Sequence, residues 1–206
     1  MTRLSLILTA IAAIGLAAGA WFWSREDDRF AACSESSVAG GAGSIGGSFE
    51  LVSETGETVT EAELLDQPAL VYFGYTFCPD VCPPDAARNA EAVAMLEEQG
   101  HDVTPVFVTV DPARDTPEVL AEWTDYIHPE MVGLSGSEDQ IRQAASAYKV
   151  YYARAEGSDP EYYLMNHTNF TYLMLPEAGF VDFFRGATEV TADDIAETAS
   201  CYLDRA

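Results

Sequence analysis

Basic residues are scarce. Of 206 residues only ten are lysine or arginine, against 34 aspartates and glutamates, and Lys149 is the single lysine. A formal charge of −24 excludes a nucleic-acid binder, which neutralises phosphates with clustered Lys and Arg. The acids run through every segment that reads as helical, the pattern of an evenly solvated surface; a face for a basic partner is the alternative reading. Histidine is limited to His101, His128 and His167, and cysteine to Cys33, Cys78, Cys82 and Cys201, so metal or thiol chemistry has few candidates. A nucleotide site is also excluded. Ser34 to Gly47 is rich in glycine and serine, but no strand pattern precedes it and no helical pattern follows, as a phosphate loop requires.

There is one long apolar run. Leu4 to Trp23 has no charged residue and only Ser5 and Thr9 as polar side chains. As a helix it would be about 30 Å long, the thickness of a bilayer's hydrocarbon. Arg3 precedes it, Arg25 follows it, and Trp21 and Trp23 stand where an interfacial aromatic belt would be. Residues 1–23 are therefore expected to form a membrane anchor. The alternative is a cleaved signal peptide ending at Ala18-Gly19-Ala20. Either places the remainder on the exported side, where disulfides are permitted. Residues 24–47 read as a small-residue tether, and residues 48–206 as one folded domain.

The domain alternates between strand and helix patterns. Phe49 to Val52 and Thr58-Val59 suggest a hairpin, and Ala69 to Tyr75 a buried strand. Pro84 to Gln99 is expected to be helical, with Ala87, Ala90, Val93, Ala94 and Leu96 on its apolar side. Val103 to Val110 reads as a second strand. Thr116 and Pro117 predict the cap and first position of a helix to Ile127, and Ser137 caps another over Glu138 to Tyr148. Lys149 to Arg154 and Asn169 to Leu175 read as strands around an insertion, Ala155 to Met165. Phe180 to Phe184 pairs back, and Thr191 to Leu203 closes the domain as a helix. This order predicts an α/β fold of thioredoxin type, a central mixed β-sheet flanked by helices.

The chemistry concentrates in Phe73-Gly74-Tyr75-Thr76-Phe77-Cys78-Pro79-Asp80-Val81-Cys82-Pro83. A buried strand delivers two cysteines to the start of a helix, where the dipole and free N–H groups favour thiolate. At i and i+4 they are expected on one helical face, with Cβ atoms about 5–6 Å apart. That spacing allows a local disulfide, a redox dithiol one residue wider than CxxC, or half of a soft-metal site. For a third donor, His101 reads as a solvated turn residue and His128 as a helix-end cap. His167, in Asn166-His167-Thr168, stands at the start of an apolar strand, where a core histidine and a ligand are both open readings.

The cysteine block resembles the signature of the Sco/SenC family. Val108-Thr109-Val110-Asp111-Pro112-Ala113-Arg114-Asp115-Thr116-Pro117 is similar to a second family block, and His167-Thr168 before Tyr172-Leu173 to a third. The resemblance runs from about Phe49 to the C-terminus and includes the anchor. It implies a membrane-anchored, thioredoxin-fold copper chaperone that supports assembly of the binuclear copper centre of cytochrome c oxidase. By resemblance Cys78, Cys82 and His167 are the copper ligands. Two thiolates and an imidazole suit Cu(I); Cu(II) would want a further donor, for which Asp80, Asp111 or water are the candidates. Asn166 stands where the family usually has an acidic residue, and Leu175 where it usually has an aspartate, which predicts a less firmly oriented histidine.

The resemblance also implies partners: a copper-accepting oxidase subunit, an upstream copper donor and a thiol reductant that opens a Cys78–Cys82 disulfide before loading. The expected location is the bacterial inner membrane, single-pass, with the body in the periplasm. Four cysteines allow three pairings. With Cys78 and Cys82 assigned to the metal site by resemblance, Cys33 and Cys201 are expected to form a structural disulfide. The other functional readings are a thiol-disulfide reductase working through Cys78 and Cys82, and a redox or copper sensor.

Overall fold

The computed structural model describes residues 29–33, 42–157 and 162–206, with residues 14, 15 and 19 of the N-terminal segment. The anchor reading for 1–23 and most of the tether reading fall outside the described residues. Among the described residues no helix is long and apolar enough to cross a membrane.

In chain order the elements are β1 (Glu50–Ser53), β2 (Thr58–Thr60), α1 (Glu61–Leu64), β3 (Ala69–Gly74), α2 (Cys82–Glu98), β4 (Thr104–Thr109), α3 (Pro117–Ile127), β5 (Val132–Ser135), α4 (Glu138–Ala147), β6 (Tyr152–Arg154), β7 (Met165–His167), β8 (Thr171–Leu175), β9 (Gly179–Phe184) and α5 (Ala192–Leu203). A seven-stranded sheet has the order β2-β1-β5-β4-β3-β8-β9, and β6 with β7 forms a separate ribbon. Strands β3, β4 and β5 are parallel, joined through α2 and α3, while the outer strands pair antiparallel. The predicted mixed α/β sheet is therefore present.

Strand β3 is apolar and buried at every position, as a strand covered on both faces must be. Leu70, Leu173 and Leu175 pack with Val93 and Leu96 of α2 and Ile195 and Ala199 of α5. Val71, Val106 and Met174 pack with Leu120 of α3 and Ile141 and Ala144 of α4. The helix starts follow local chemistry: Thr116, Ser137 and Thr191 each accept a backbone N–H through the side chain, and Ser137 and Thr191 complete capping boxes.

The structure corrects several readings. Helix α2 begins at Cys82, not Pro84, and the two cysteines do not share a helical face: Cys78 lies in the turn before it. Ala87 and Ala94 face solvent, and the buried side of α2 instead carries Asp85, Arg88 and Asn89 beside its alanines. Val132–Ser135, to which the sequence assigns no element, is a parallel strand inside the sheet; at four residues, with Gly133 and Ser135, it is too short and too polar to show a pattern. Lys149 has a left-handed φ of 56°, which ends α4 and delays β6 to Tyr152. His167 belongs to β7 and not to the apolar strand that follows it.

The expected Cys33–Cys201 disulfide is present, with Cα atoms 5.5 Å apart. It ties the residues around Phe30 to α5, where the Phe30 ring packs 5.2 Å from that of Tyr202.

Candidate metal centre

The topology places the site. Parallel strands β3 and β4 end at the same edge, the usual position of a crevice in such sheets. Strand β8 runs antiparallel to β3 with Tyr72 opposite Thr171, so the chain just before β8 arrives where β3 ends. That segment is β7, whose ribbon register sets His167 opposite Tyr152. Thr168 N–H donates to the Tyr151 carbonyl at 2.9 Å, and Tyr151 N–H to Thr168 Oγ1 at 3.1 Å, which pins the histidine's backbone.

Asp115, fully buried, anchors the cysteine loop. It accepts from Thr76 N–H at 3.0 Å, Thr76 Oγ1 at 2.6 Å and Thr109 Oγ1 at 2.5 Å. Burial, against these hydrogen bonds, raises its pKa above the ordinary carboxylate value. Gly74 is required by close approach: a Cβ there would meet Phe107 and Tyr72 at 2.9 Å and Cys82 Sγ at 3.1 Å. The loop then turns, with Cys78 N–H donating to the Tyr75 carbonyl at 3.2 Å.

Val81, the N-cap residue of α2, has no side-chain acceptor. Cys78 Sγ supplies one instead, taking the Cys82 N–H at 3.3 Å. Hydrogen bonding from the Cys82 thiol holds the Cys78 thiol well below its usual value despite its burial, with the backbone of Cys82 and Asp80 contributing. The same contact, with burial, pushes the Cys82 thiol up. Cys82 is fully buried and Cys78 is 6% exposed.

His167 completes the group. Its Nε2 lies 3.3 Å from Cys82 Sγ, and its Nδ1 lies 3.0 Å from the Thr168 carbonyl. A carbonyl only accepts, so Nδ1 carries the proton and Nε2 presents a lone pair to the sulfurs. The Tyr72 and Tyr75 rings meet the imidazole edge-on at 6.3 and 5.9 Å. One ligand atom from each of Cys78, Cys82 and His167 falls within a 4.8 Å group, the only such group of three among the described residues.

Asp80 is exposed and lies outside this group. Asp111 is buried but committed elsewhere: Tyr163 Oη donates to it at 2.8 Å and Arg114 Nε at 2.5 Å. Neither supplies the further donor considered for Cu(II). Asn166 is exposed, and strand alternation turns it away from the face of His167. In place of that acidic neighbour, the Thr168 carbonyl takes the Nδ1 proton and orients the ring. His101 pairs with Asp204 at 3.4 Å, and His128 is the C-cap of α3. Both are remote from the cysteines in role.

A buried polar layer beneath the site escaped the sequence reading. Tyr72 Oη donates to Asp85 Oδ2 at 3.0 Å, and Ala187 N–H donates to the other oxygen of the same carboxylate. Arg88 donates to Asn89 Oδ1 and Thr171 Oγ1, each at 2.9 Å, and to the Arg185 carbonyl. These bonds tie the first turns of α2 to β8 and to the loop after β9. The only sequence signal was a charged pair, Asp85 and Arg88, on the alanine side of an otherwise amphipathic helix.

The donor set is two sulfurs and one imidazole nitrogen. Such a set suits a soft, low-coordinate monovalent ion, and a closed tetrahedral zinc site would need a fourth ligand.

Comparison with known proteins gives the same answer. The family model SCO1/SenC matches residues 38–204. Protein SenC of Rhodobacter capsulatus is 48% identical over 194 residues, covering 94% of this chain and 86% of that protein. The human mitochondrial protein SCO1 homolog is 39% identical over 142 residues, 68% of this chain and 47% of its own length. Among solved structures, Arabidopsis thaliana ScoI with copper bound superposes with a TM-score of 0.71 at 37% identity, covering 78% of this chain and 99% of that one. Yeast Sco1 with copper bound gives 0.73 at 33% identity, covering 79% and 90%. With the fold, the three-residue site and the sequence match in agreement, this chain belongs to the SCO1/SenC family.

Proposed function

We propose that the protein is a copper carrier. It holds one copper ion through Cys78 Sγ, Cys82 Sγ and His167 Nε2 and passes it to a copper-accepting subunit of cytochrome c oxidase. The observation that carries this reading is the convergence of those three donors within 4.8 Å on segments distant in sequence. Copper-bound relatives of the same fold support the choice of metal. Copper is cargo here: loading needs both sulfurs reduced and deprotonated, so a donor and a thiol reductant act upstream. The apolar run Leu4 to Trp23 supports an anchor in the bacterial inner membrane with the body in the periplasm.

A second reading is favoured by the inequality of the two thiols. A low-pKa Cys78 beside a buried, high-pKa Cys82 is also the arrangement of an attacking and a resolving thiol, which would reduce the acceptor's cysteines. One experiment separates the two. The copper-loaded chain is mixed anaerobically with a copper-free acceptor domain and transfer is followed by mass spectrometry. The reduced chain is tested in parallel on the oxidised acceptor. A carrier loses transfer in His167→Ala while its dithiol exchange survives. If His167→Ala transfers copper as the parent does, the carrier reading fails.

A further inference from the structure

A groove of about 380 Å³ opens beside the cysteine loop, lined by Thr76, Phe77, Val119, Glu122, Trp123 and Tyr126. Phe77 immediately precedes Cys78 and is 53% exposed; Tyr126 is 87% exposed. Exposed aromatic side chains beside a functional site lower the free energy only when something covers them. Trp123 is fixed from behind, its ring 4.3 Å from that of Phe107, so the groove wall is preformed.

The helix that walls the groove carries charge of one sign. Helix α3 carries Glu118, Glu122 and Asp125, all exposed, and has no lysine or arginine. Their spacing of four and three residues places them on one side of the helix, and of the three Glu122 lines the groove. The Arg114 guanidinium lies 4.8 Å from the Phe77 ring centre and is paired with Asp111. Aromatic walls with a carboxylate at the rim match a long apolar stem ending in a cation.

From this juxtaposition we infer that the groove receives a basic side chain, arginine or lysine, from the protein that docks over Cys78. The inference rests on the carrier reading and names the partner's chemistry: an apolar contact surface with a basic residue at the edge of its metal-accepting site. The cation enters between Phe77, Trp123 and Tyr126 and pairs with Glu122, which sets the partner's register over Cys78. The negative field of the chain accelerates that encounter, so docking weakens with salt.

The test uses the full-length, reduced chain in detergent micelles, labelled with ¹⁵N-tryptophan, with the Trp123 indole resonance assigned through Trp123→Phe. The probes are N-acetyl-arginine amide and its neutral counterpart N-acetyl-citrulline amide. The arginine probe is expected to shift the Trp123 resonance saturably, to bind about threefold more weakly to Glu122→Gln, and to lose affinity toward 1 M salt. Equal shifts with both probes, or none with either, would overturn the proposal. Anaerobic Cu(I) titration separates the two readings. Glu122→Gln should bind Cu(I) as the parent does but transfer it more slowly. A parent chain that binds the arginine probe but not Cu(I) would refute the carrier reading alone. Weakened Cu(I) binding in Glu122→Gln would make Glu122 part of the metal site and overturn the docking role.

Discussion

Cys82 Sγ and His167 Nε2 stand 3.3 Å apart although 85 residues separate them in the chain. The contact depends on two strands: β3 carries the cysteine loop out of the sheet, and β7 brings the histidine back over it. Thr168, through its carbonyl, keeps the accepting nitrogen on the sulfur side. On the carrier reading, removing the imidazole should therefore remove one donor without disturbing the cysteines. In His167→Ala, Cu(I) affinity measured against a competing chelator is expected to fall by about tenfold or more, with the unfolding midpoint of the metal-free protein nearly unchanged. Unchanged affinity would reduce the site to a dithiol.

The two thiols should react unequally. Because the Cys78 thiol is pushed down and that of Cys82 up, iodoacetamide should modify the reduced chain at Cys78 alone. The rate should persist at pH 6, where an ordinary thiol with a pKa of about 8.5 is almost wholly protonated. In Cys82→Ala the main hydrogen bond to Cys78 is lost, so the pH 6 rate should drop. Peptide mapping that found both sulfurs modified, with an inflection near the ordinary thiol value, would contradict the geometry.

Asp115 links the cysteine loop to the loop after β4. In Asp115→Ala, Thr76 N–H, Thr76 Oγ1 and Thr109 Oγ1 lose their acceptor in a buried place, at a cost of about 2 kcal/mol in urea unfolding. Hydrogen exchange at Thr76 should accelerate, and Cu(I) affinity should fall because Cys78 is no longer held. The pH dependence has a definite sign. Burial raises the folded-state pKa of Asp115, so its contribution is full below the unfolded value of about 3.9 and is lost as pH rises through the raised folded value. Asp115→Asn should therefore gain on the parent as pH rises through that window.

Reducing or mutating the Cys33–Cys201 bridge should act on stability and not on copper. The bridge spans 168 residues, and loop entropy gives an upper figure of about 5 kcal/mol for so long a closure. Cys201→Ser is expected to lower the unfolding midpoint while Cu(I) affinity stays at the parent value. A matching loss of copper binding would show that α5 and the residues around Cys33 support the metal centre.

The local chemistry was legible in the sequence because it is carried by neighbours in the chain. The buried run Ala69 to Tyr75 and the Thr116-Pro117 and Ser137 helix starts each contain their own cause. Elements that depend on distant partners were not legible. β5 is a strand because β4 and β1 hold it on either side, and Asp85 and Arg88 face inward because Tyr72, Thr171 and backbone groups after β9 satisfy them. The sequence by itself, through its motifs and their resemblance, determined which three residues to name and the fold they belong to. Only the tertiary structure decided how they meet: Cys78 as the cap of α2, Cys82 beneath it, and His167 turned toward both by its own neighbour's carbonyl. The physical reason is that hydrogen-bond acceptors and burial are properties of the assembled sheet edge, and no stretch of chain contains them alone.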